Sequence, residues 1–349
     1  MLTIDGRLGE GGGQVLRTSL SLSALTGRPF RLTNVRANRS KPGLRPQHLT
    51  AVRAVGRLCG AALTGDHLDS QVLEFRPATP PQPGVYAFDV AAAASGGSAG
   101  SVMLIFQAVL WPLLFAGGQS RLTLRGGTHV PLSPPFHYIA HVAQPVFSRL
   151  GTTFNLELDK WGWYPAGGGM VSATIEPVAR LNAPEFNNPP TGQVEGIAAV
   201  TNLPADIAQR MARRATNLLE AAGLDARITA MRETETGPGA GIFLWLPQAG
   251  FSALGRKGLP ADKVAEVAVA ETLAFVDNKE MVDRHLADQL LLPLALSHGY
   301  SRFTTDQLTS HTITNAELLR RWLDVTIDIT GDLHRPAEIG VTGIGFTAG

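Results

Sequence analysis

The sequence contains a single cysteine, Cys59, among its 349 residues. One thiol excludes a disulfide framework and any zinc or iron–sulfur site built from several cysteines. The first residues, Met1 to Gly6, show neither the basic segment nor the apolar core of a signal peptide. These absences predict a protein of a reducing compartment, and we expect it to be cytoplasmic.

Long apolar runs are also missing. The longest, Val102 to Ala116, is interrupted by Gln107 and Pro112, and it falls short of the roughly 20 residues that a membrane-spanning helix needs. We therefore expect no membrane among the partners. Apolar residues still make up 44% of the chain and charged residues 17%, a balance that is typical of a folded protein with a sizeable core.

Acidic residues are absent from Gly11 to Gly65, whereas nine arginine and lysine residues stand in the same stretch. Because the whole chain carries a net charge of +1, the remainder carries −8. A cationic segment on an acidic body indicates an anionic partner such as a phosphate or a nucleic acid. A solvated basic surface is the alternative interpretation.

The order of apolar patterns predicts an α/β (α+β) fold, because short strands alternate with helices. Helices are expected at 15–25, 47–59, 99–115 and 136–150. Glycine clusters at Gly9–Gly13, Gly126-Gly127 and Gly167–Gly169 suggest an internally repeated unit. The Asn- and Pro-rich segment Arg180–Gly192 is typical of a domain junction. We therefore predict a discontinuous main domain, residues 1–184 and 279–349, with a smaller α/β domain inserted at 185–278.

The first candidate site is the segment Gly9–Arg17, in which a strand pattern runs into a glycine cluster and then a helix. Glycines let the backbone approach a ligand closely, and a helix N-terminus favours an anion. Glu10 within the cluster is suited to hold a divalent cation beside phosphates. No lysine followed by Ser or Thr is present, so this is not a Walker A loop. A plain strand-to-helix turn is the alternative.

The second candidate is the basic segment Val35–His48. Arginine side chains match phosphate oxygens in two-point contacts, and Arg36 and Arg39 are placed to clamp an anion. Gln47 and His48 open a helix and could donate hydrogen bonds to a phosphate or a sugar hydroxyl. An exposed basic loop is the alternative interpretation.

Two further candidates combine polar residues with apolar helices. The small residues Ser95–Ser101 precede an apolar helix that contains Gln107, and a buried amide needs a partner in the backbone or in a ligand. Asp288 and Gln289 interrupt another apolar helix. A buried carboxylate must be paired, either with a ligand hydroxyl or with a structural arginine.

The last candidate is the segment Thr309–Asn315, which places His311 among hydroxyl side chains ahead of a helix. Neutral imidazole is a nucleophile that can form covalent phosphoryl-type intermediates. A lone histidine is more often structural, so this segment by itself leaves both roles open.

Taken together, these motifs resemble the RNA 3'-terminal phosphate cyclase family from Ile4 to Phe346. Each motif is short, but all of them occur in the family's order. The segments that carry the resemblance are Gly9–Arg17, Arg36–Leu49, Ser98–Gln107, Gly126–Pro135, Gly162–Gly169, Leu286–Leu290 and His311–Asn315.

The resemblance implies a fold, a reaction and cofactors. The fold is a main domain of three repeated βαβαββ-like units, as in enolpyruvyl transferases, plus a smaller inserted domain. The reaction converts an RNA 3'-terminal phosphate to a 2',3'-cyclic phosphate with ATP and a divalent metal, Mg²⁺ or Mn²⁺. It proceeds through a covalent histidine-AMP intermediate and then an RNA-adenylate. The partner is RNA with a 3'-phosphate end; the oligomeric state, monomer or homodimer, stays open.

The resemblance also implies roles for individual residues. His311 would be the nucleophile, Glu10 the metal ligand, and Gln107 a contact to the ATP phosphates. The nucleotide-binding residues would further include Pro134, Tyr138, His285, Leu286, Ala287, Asp288 and Gln289. The path of the substrate phosphate would be lined by Arg17, Arg36, Arg39, Gln47 and His48. Many members have Tyr where this chain has His285, which offers adenine less stacking area.

Two other functions compete with the cyclase. Non-catalytic relatives act as ribosome-assembly scaffolds but lack the nucleophilic histidine, whereas His311, Glu10 and Arg39 are all present here. Enolpyruvyl transferases share the repeated fold and bind small anions. They form no histidine-AMP species, so the segment around His311 would have no role in such an enzyme. Lysine-based nucleotidyl ligases are disfavoured, because none of the five lysines begins a Lys-x-Asp-Gly motif.

Overall fold

The computed structural model describes residues 1–93, 98–234 and 237–347. Its first two sheets repeat one βαβαββ unit. In the first unit the elements are β1 (Leu2–Asp5), α1 (Gly13–Thr26), β2 (Phe30–Thr33), α2 (Pro46–Leu58), β3 (Ala62–Thr64) and β4 (Leu73–Arg76). The strand order is β1-β2-β4-β3, with β1 and β2 parallel and the other pairs antiparallel.

The second unit has the same order, β5-β6-β8-β7, and the same strand directions. Its elements are β5 (Val85–Asp89), a 3₁₀ turn (Val90–Ala93), α3 (Val102–Leu114), β6 (Ser120–Gly126), α4 (Phe136–Tyr138), a π-helical segment (Ile139–Ala143), α5 (Gln144–Ser148), β7 (Phe154–Lys160) and β8 (Gly169–Ile175).

The third unit lies at the end of the chain and lacks a full first strand. Val282 forms only a single parallel bridge with Thr305, at the place that β1 and β5 take in the other units. The sheet order β13-β15-β14 otherwise follows the same plan. Its elements are α8 (Arg284–Leu296), β13 (Tyr300–Thr305), α9 (Ser310–Trp322), β14 (Thr326–Thr330) and β15 (Ala337–Thr342). The predicted three repeated units are therefore confirmed.

Between the second and third units the chain forms a separate α/β layer. Its sheet order is β10-β9-β11-β12, and the two helices pack on each other and on this sheet. The elements are β9 (Val194–Thr201), α6 (Ala205–Ala221), β10 (Ala226–Glu233), β11 (Gly239–Leu246), β12 (Ala249–Leu254) and α7 (Ala261–Asn278). The proposed domain limits at 184/185 and 278/279 stay a prediction.

Two apolar cores correspond to these layers. One is shared by the three repeated units, with Phe30, Phe106 and Phe303 fully buried. The other fills the inserted layer. A small third cluster connects them, because Trp161 and Trp163 of the second unit pack with Phe243 of β11. No helix in the described part of the chain is long and apolar enough to cross a membrane.

Two expected helices differ from the structure. The helix expected at 99–115 begins only at Val102, because Ser101 bridges to Gly127 in extended form and caps the helix with its hydroxyl. The single helix expected at 136–150 is split by the π-helical segment. Pro145 has no backbone N–H to donate to the carbonyl of His141, and such a gap interrupts regular helical bonding.

Candidate active site

The glycine loop between β1 and α1 (residues 9–13) packs closely against α9 and against the basic loop (residues 35–45). Gly9 has a φ of +55°, and a Cβ there would lie 1.7 Å from the Thr314 hydroxyl. Gly11 has a φ of +59°, and its Cβ would lie 2.7 Å from the Asn38 amide nitrogen. Any side chain at these positions would be both strained and obstructed. Glycine is therefore what allows the loop to carry Glu10 to α9.

His311 lies in the first turn of α9 and is partly exposed. Thr309 caps this helix, and its hydroxyl accepts a hydrogen bond from the Thr312 N–H at 3.1 Å. The imidazole Nε2 lies 3.1 Å from Oε2 of Glu10, and Nη2 of Arg39 lies 3.2 Å from the same oxygen. His311 thus meets Glu10 and Arg39, two predicted site residues from the other end of the chain, at one carboxylate oxygen.

The other ring nitrogen of His311 is held from inside the protein. Its Nδ1 lies 2.7 Å from Oε1 of Gln14, and Nε2 of Gln14 donates to Oδ1 of Asp288. Nδ2 of Asn315 donates to the same Asp288 oxygen at 3.2 Å. Burial raises the pKa of Asp288, although His311 and Arg17 oppose that shift. Asp288 therefore lies on the Nδ1 side of the His311 ring, away from Glu10, and is connected to the ring through Gln14.

Gln14 lies within the segment Gly9–Arg17, but its role beside His311 was not predicted from the sequence. It is 6% exposed and lies on the inner face of α1. The only sequence signal is a long amide on a helix whose buried positions are otherwise apolar or small. Such a buried amide requires hydrogen-bond partners, but the sequence does not say which ones.

The predicted phosphate-binding residues fall into two groups. Arg17 lines a cavity together with Gln14 and Asp288, and burial lowers the pKa of Arg17 to about 10 despite the opposing charge of Asp288. Arg39 contacts Glu10 as described above. Arg39 therefore stands at the Glu10–His311 contact, and Arg17 lies deeper, near Asp288.

The remaining three residues, Arg36, Gln47 and His48, make contacts within the protein. Nη1 of Arg36 donates to the carbonyls of Lys41 and Gly43 at 2.8 and 3.0 Å, and Oε1 of Gln47 accepts from the Ser101 N–H at 2.8 Å. His48 is buried, and burial together with four neighbouring arginines lowers its pKa well below the usual range. In this structure these side chains shape the basic loop rather than line an open path.

A cavity of about 60 Å³ lies between α1, α3 and α8, lined by Gln14 and Asp288 but not by His311 itself. Gln107 and Gln289 face each other there, with Nε2 of Gln107 donating to Oε1 of Gln289 at 2.9 Å. Sites for small-molecule ligands commonly measure about 300–1,000 Å³. The cavity itself is therefore too small for a nucleotide, which needs room beyond it.

Of the predicted adenine-binding residues, Tyr138 and His285 lie close together, whereas the side chains of Leu286 and Ala287 point into the core. Tyr138 and His285 have ring centroids 6.3 Å apart with their planes nearly perpendicular, and the Tyr138 hydroxyl donates to the Asp283 carboxylate at 2.9 Å. His285 is exposed and Pro134 half-buried. The side chains of Leu286 and Ala287 are fully buried in the main core, so only their backbone could meet a nucleotide here.

Part of the predicted small-residue motif, Ser95–Gly97, lies outside the described residues. The described end of that motif has a clear local role, because the Ser101 hydroxyl accepts a hydrogen bond from the Leu104 N–H and so caps α3. Within residues 1–93, 98–234 and 237–347, no group of three or more His, Cys, Asp or Glu side chains could hold a metal ion.

A histidine at a helix start, beside a carboxylate and a guanidinium group, can act as a covalent nucleophile in phosphoryl or nucleotidyl transfer. The family model described as RNA 3'-terminal phosphate cyclase matches residues 8–329. The chain therefore belongs to the RNA 3'-terminal phosphate cyclase family, and it is an enzyme.

Curated relatives agree with that assignment. The RNA 3'-terminal phosphate cyclase of Nostoc punctiforme is 48% identical over 92% of this chain and 94% of its own length. The protein of that name from Methylococcus capsulatus is 47% identical over 99% and 95%. The one from Pyrococcus furiosus is 37% identical over 98% of both chains.

One solved structure, the enolpyruvyl transferase NikO from Streptomyces tendae, aligns with 99% of this chain and 49% of its own. The TM-score is 0.36 and the identity 15%. The repeated fold described above rests on the sheets of this chain and not on that alignment.

Proposed function

We propose that the protein converts the 3'-terminal phosphate of RNA to a 2',3'-cyclic phosphate in an ATP-dependent reaction, with His311 as the covalent carrier of AMP. The observation that carries the proposal is the constellation at His311. One ring nitrogen is held by Gln14, and the other faces Glu10 and the Arg39 guanidinium at the protein surface.

The reaction has three displacements at phosphorus. Nε2 of His311 attacks the α-phosphorus of ATP, the bond to the β-phosphate oxygen breaks, and pyrophosphate leaves. An oxygen of the RNA 3'-phosphate then attacks the same phosphorus, which breaks the N–P bond and yields the RNA-adenylate. The vicinal 2'-hydroxyl finally loses its proton and attacks the 3'-phosphorus, and AMP leaves. The need for a 2'-hydroxyl selects RNA over DNA.

Displacements of this kind require positioning and charge neutralisation more than general acids. Arg39 supplies positive charge at the Glu10–His311 contact, and Arg17 supplies it near Asp288. Following the family resemblance, we assign the ATP phosphates to Gln107 and the nucleoside to Asp288 and Gln289. The adenine region is assigned to Pro134, Tyr138, His285 and the chain at Leu286 and Ala287. The RNA phosphate is assigned to Arg17 and Arg39, while Arg36, Gln47 and His48 would shape the basic loop that presents Arg39.

A divalent cation fits this site if Glu10 and the substrate phosphates bind it together. Glu10 offers a single, half-exposed carboxylate, and its neighbours His311 and Arg39 are not carboxylates. One carboxylate combined with substrate phosphates and water is a common arrangement for Mg²⁺. Glu10 would hold the metal together with the triphosphate, and the cation would neutralise phosphate charge during transfer.

The test uses purified protein, α-labelled ATP and a divalent cation, without RNA, followed by a denaturing gel. We expect covalent label that resists alkali and is lost in acid, as a phosphoramidate should be. Absence of label on folded protein would favour the scaffold or enolpyruvyl transferase function instead. In His311→Ala we expect no label on a protein that still unfolds cooperatively. Substantial labelling of that variant would contradict the assignment of the nucleophile.

A further inference from the structure

The contact between Gln14 and His311 has a direction, because an amide side chain donates from one end and accepts at the other. We propose that Gln14 is a positioning residue that keeps a proton on Nδ1 of His311 and thereby leaves Nε2 as the nitrogen with a free electron pair. The inference rests on the proposed function, since it concerns the nitrogen that would attack ATP.

The first step concerns Asn315. Its Nδ2 donates to the backbone carbonyl of Asp288 at 3.2 Å, and a backbone carbonyl can only accept. The orientation of the Asn315 amide is therefore fixed. The same Nδ2 also donates to Oδ1 of Asp288, while the Thr18 hydroxyl donates to the Asn315 oxygen at 3.0 Å. Oδ1 of Asp288 is consequently an acceptor.

The second step concerns Gln14. Its amide meets the accepting Oδ1 of Asp288 at one end, so the NH₂ group must face Asp288. The opposite orientation would place two accepting oxygens against each other in a buried site, which is costly. Oε1 of Gln14 must therefore face His311.

The third step concerns the imidazole. Nδ1 of His311 lies 2.7 Å from an oxygen that can only accept, so Nδ1 must carry a hydrogen. Nε2 lies 3.1 Å from the Glu10 carboxylate at the open side of the site. Attack on ATP requires the electron pair of Nε2, and the hydrogen bond to Gln14 holds the proton of the neutral ring on Nδ1.

Burial keeps this arrangement in place. Gln14 and Asn315 are 6% and 5% exposed, and Asn315 and Asp288 lie on two different helices, α9 and α8. Water therefore has little access to the Gln14 and Asn315 amides. Hydrogen bonds converge on Oδ1 of Asp288 from Asn315 and from Gln14, and these two donors fix the orientation of the Gln14 amide towards His311.

The direct test is the tautomer of His311, measured by ¹⁵N NMR on protein labelled at histidine, without ATP and at a pH where the ring is neutral. His311→Asn identifies the resonance. We expect the Nδ1-protonated form in the wild type. In Gln14→Met, which has similar size and no hydrogen bonds to offer, we expect the Nε2-protonated form to appear. A wild-type His311 protonated on Nε2 overturns the inference.

Kinetics gives a second readout. In the serine protease triad, a histidine held in the wrong tautomer lowers kcat by about 10⁴-fold, so Gln14→Met should slow single-turnover adenylylation by on the order of 10²-fold or more. ATP affinity should change far less, because both ends of the Gln14 amide are engaged by His311 and Asp288. Gln119→Met, the same change at an exposed glutamine, is the matched control. Equal loss in ATP affinity and rate would contradict a positioning role.

The two hypotheses fail separately. If the wild type carries the proton on Nδ1 but is never labelled by ATP, the proposed function fails and the role of Gln14 in fixing the proton stands. If the wild type is labelled and His311 is protonated on Nε2, the proposed function stands and the inference about Gln14 is wrong.

Discussion

Glu10 and His311 are separated by 300 positions in the chain, yet Oε2 of the one lies 3.1 Å from Nε2 of the other. The glycine loop and the first turn of α9 create this contact. A carboxylate next to the proposed nucleophile can attract its proton and, with phosphates present, a cation. Both roles depend on the negative charge of Glu10, so a substitution that removes the charge should affect both.

We expect Glu10→Gln to weaken the use of the divalent cation in adenylylation. The amide keeps the size of the side chain but removes the charge that attracts a cation. The metal concentration for half-maximal labelling should rise by on the order of 10-fold, which corresponds to about 1.4 kcal/mol. A titration of Mg²⁺ or Mn²⁺ measures it, with the exposed Glu157→Gln as control. An unchanged metal requirement would contradict the assignment of Glu10.

Arg39→Ala should impair the step that uses RNA. Arg39 is partly exposed and its guanidinium reaches the Glu10 oxygen at the site, and hydrogen bonds to charged groups contribute about 1.5–3 kcal/mol. We expect cyclisation of a 3'-phosphorylated RNA to fall by on the order of 10- to 100-fold.

The control for Arg39 is Arg53→Ala, a substitution in the same cationic segment at a residue that pairs with Asp66. Adenylylation without RNA, measured in parallel, separates the RNA step from the ATP step. Undiminished cyclisation by Arg39→Ala would contradict the predicted phosphate contact.

The sequence predicted the repeated units and the main site residues because both have local signals. Glycine before a helix marks the loop of Glu10, and the residues around His311 match a family motif. The link through Gln14 could not be predicted, since it depends on α1 packing against α8 and α9. Short strands such as β2 (Phe30–Thr33) and β13 (Tyr300–Thr305) were not predicted either, because four to six residues give too little periodicity.

His48 and Arg36 show a second limit of prediction from sequence, namely which basic side chains can reach a ligand. A basic motif predicts charge near a phosphate, but burial and backbone contacts decide which side chains remain available. His48 lies so close to Gly13 that a Cβ there would come within 2.4 Å of its ring. Sequence spacing contains no information on that packing.

Asp283→Ala should destabilise the fold more than the loss of an ordinary helix cap. Asp283 is fully buried, and its carboxylate accepts from the Leu286 N–H of α8, the Tyr138 hydroxyl and the Gly250 N–H of β12. Loss of a cap costs about 1 kcal/mol, and each buried donor left without a partner adds about 1–3 kcal/mol. With the Tyr138 hydroxyl and the Gly250 N–H as two such donors, we expect a loss of about 3–7 kcal/mol in the free energy of unfolding by urea.

Asp324→Ala, at an exposed position, serves as the control for Asp283. Asp283→Asn should lie between the two variants, because its amide oxygen can still accept part of these bonds. A cost for Asp283→Ala below that of a surface substitution would show that the α8 cap and the inserted layer are held by other contacts.

The histidine cluster between the second unit and the inserted layer should make stability fall in acid. Nε2 of His129 lies 2.9 Å from Nδ1 of His137, and Trp161 and Phe243 pack against the two rings. Burial lowers the pKa of His137 to about 3, whereas an unfolded histidine titrates near 6.5. Below pH 6.5 the unfolded chain therefore binds a proton that the folded chain does not.

The sign follows from this difference in proton binding. The free energy of unfolding should decrease as the pH falls from about 6.5 towards 3, by up to about 1.4 kcal/mol per pH unit for this group. His137→Phe removes one such group, so its stability should fall less steeply over the same range. Urea unfolding at several pH values measures both slopes, with the exposed His67→Phe as the control for losing one histidine. Equal slopes in wild type and His137→Phe would show that His137 becomes protonated within the folded protein.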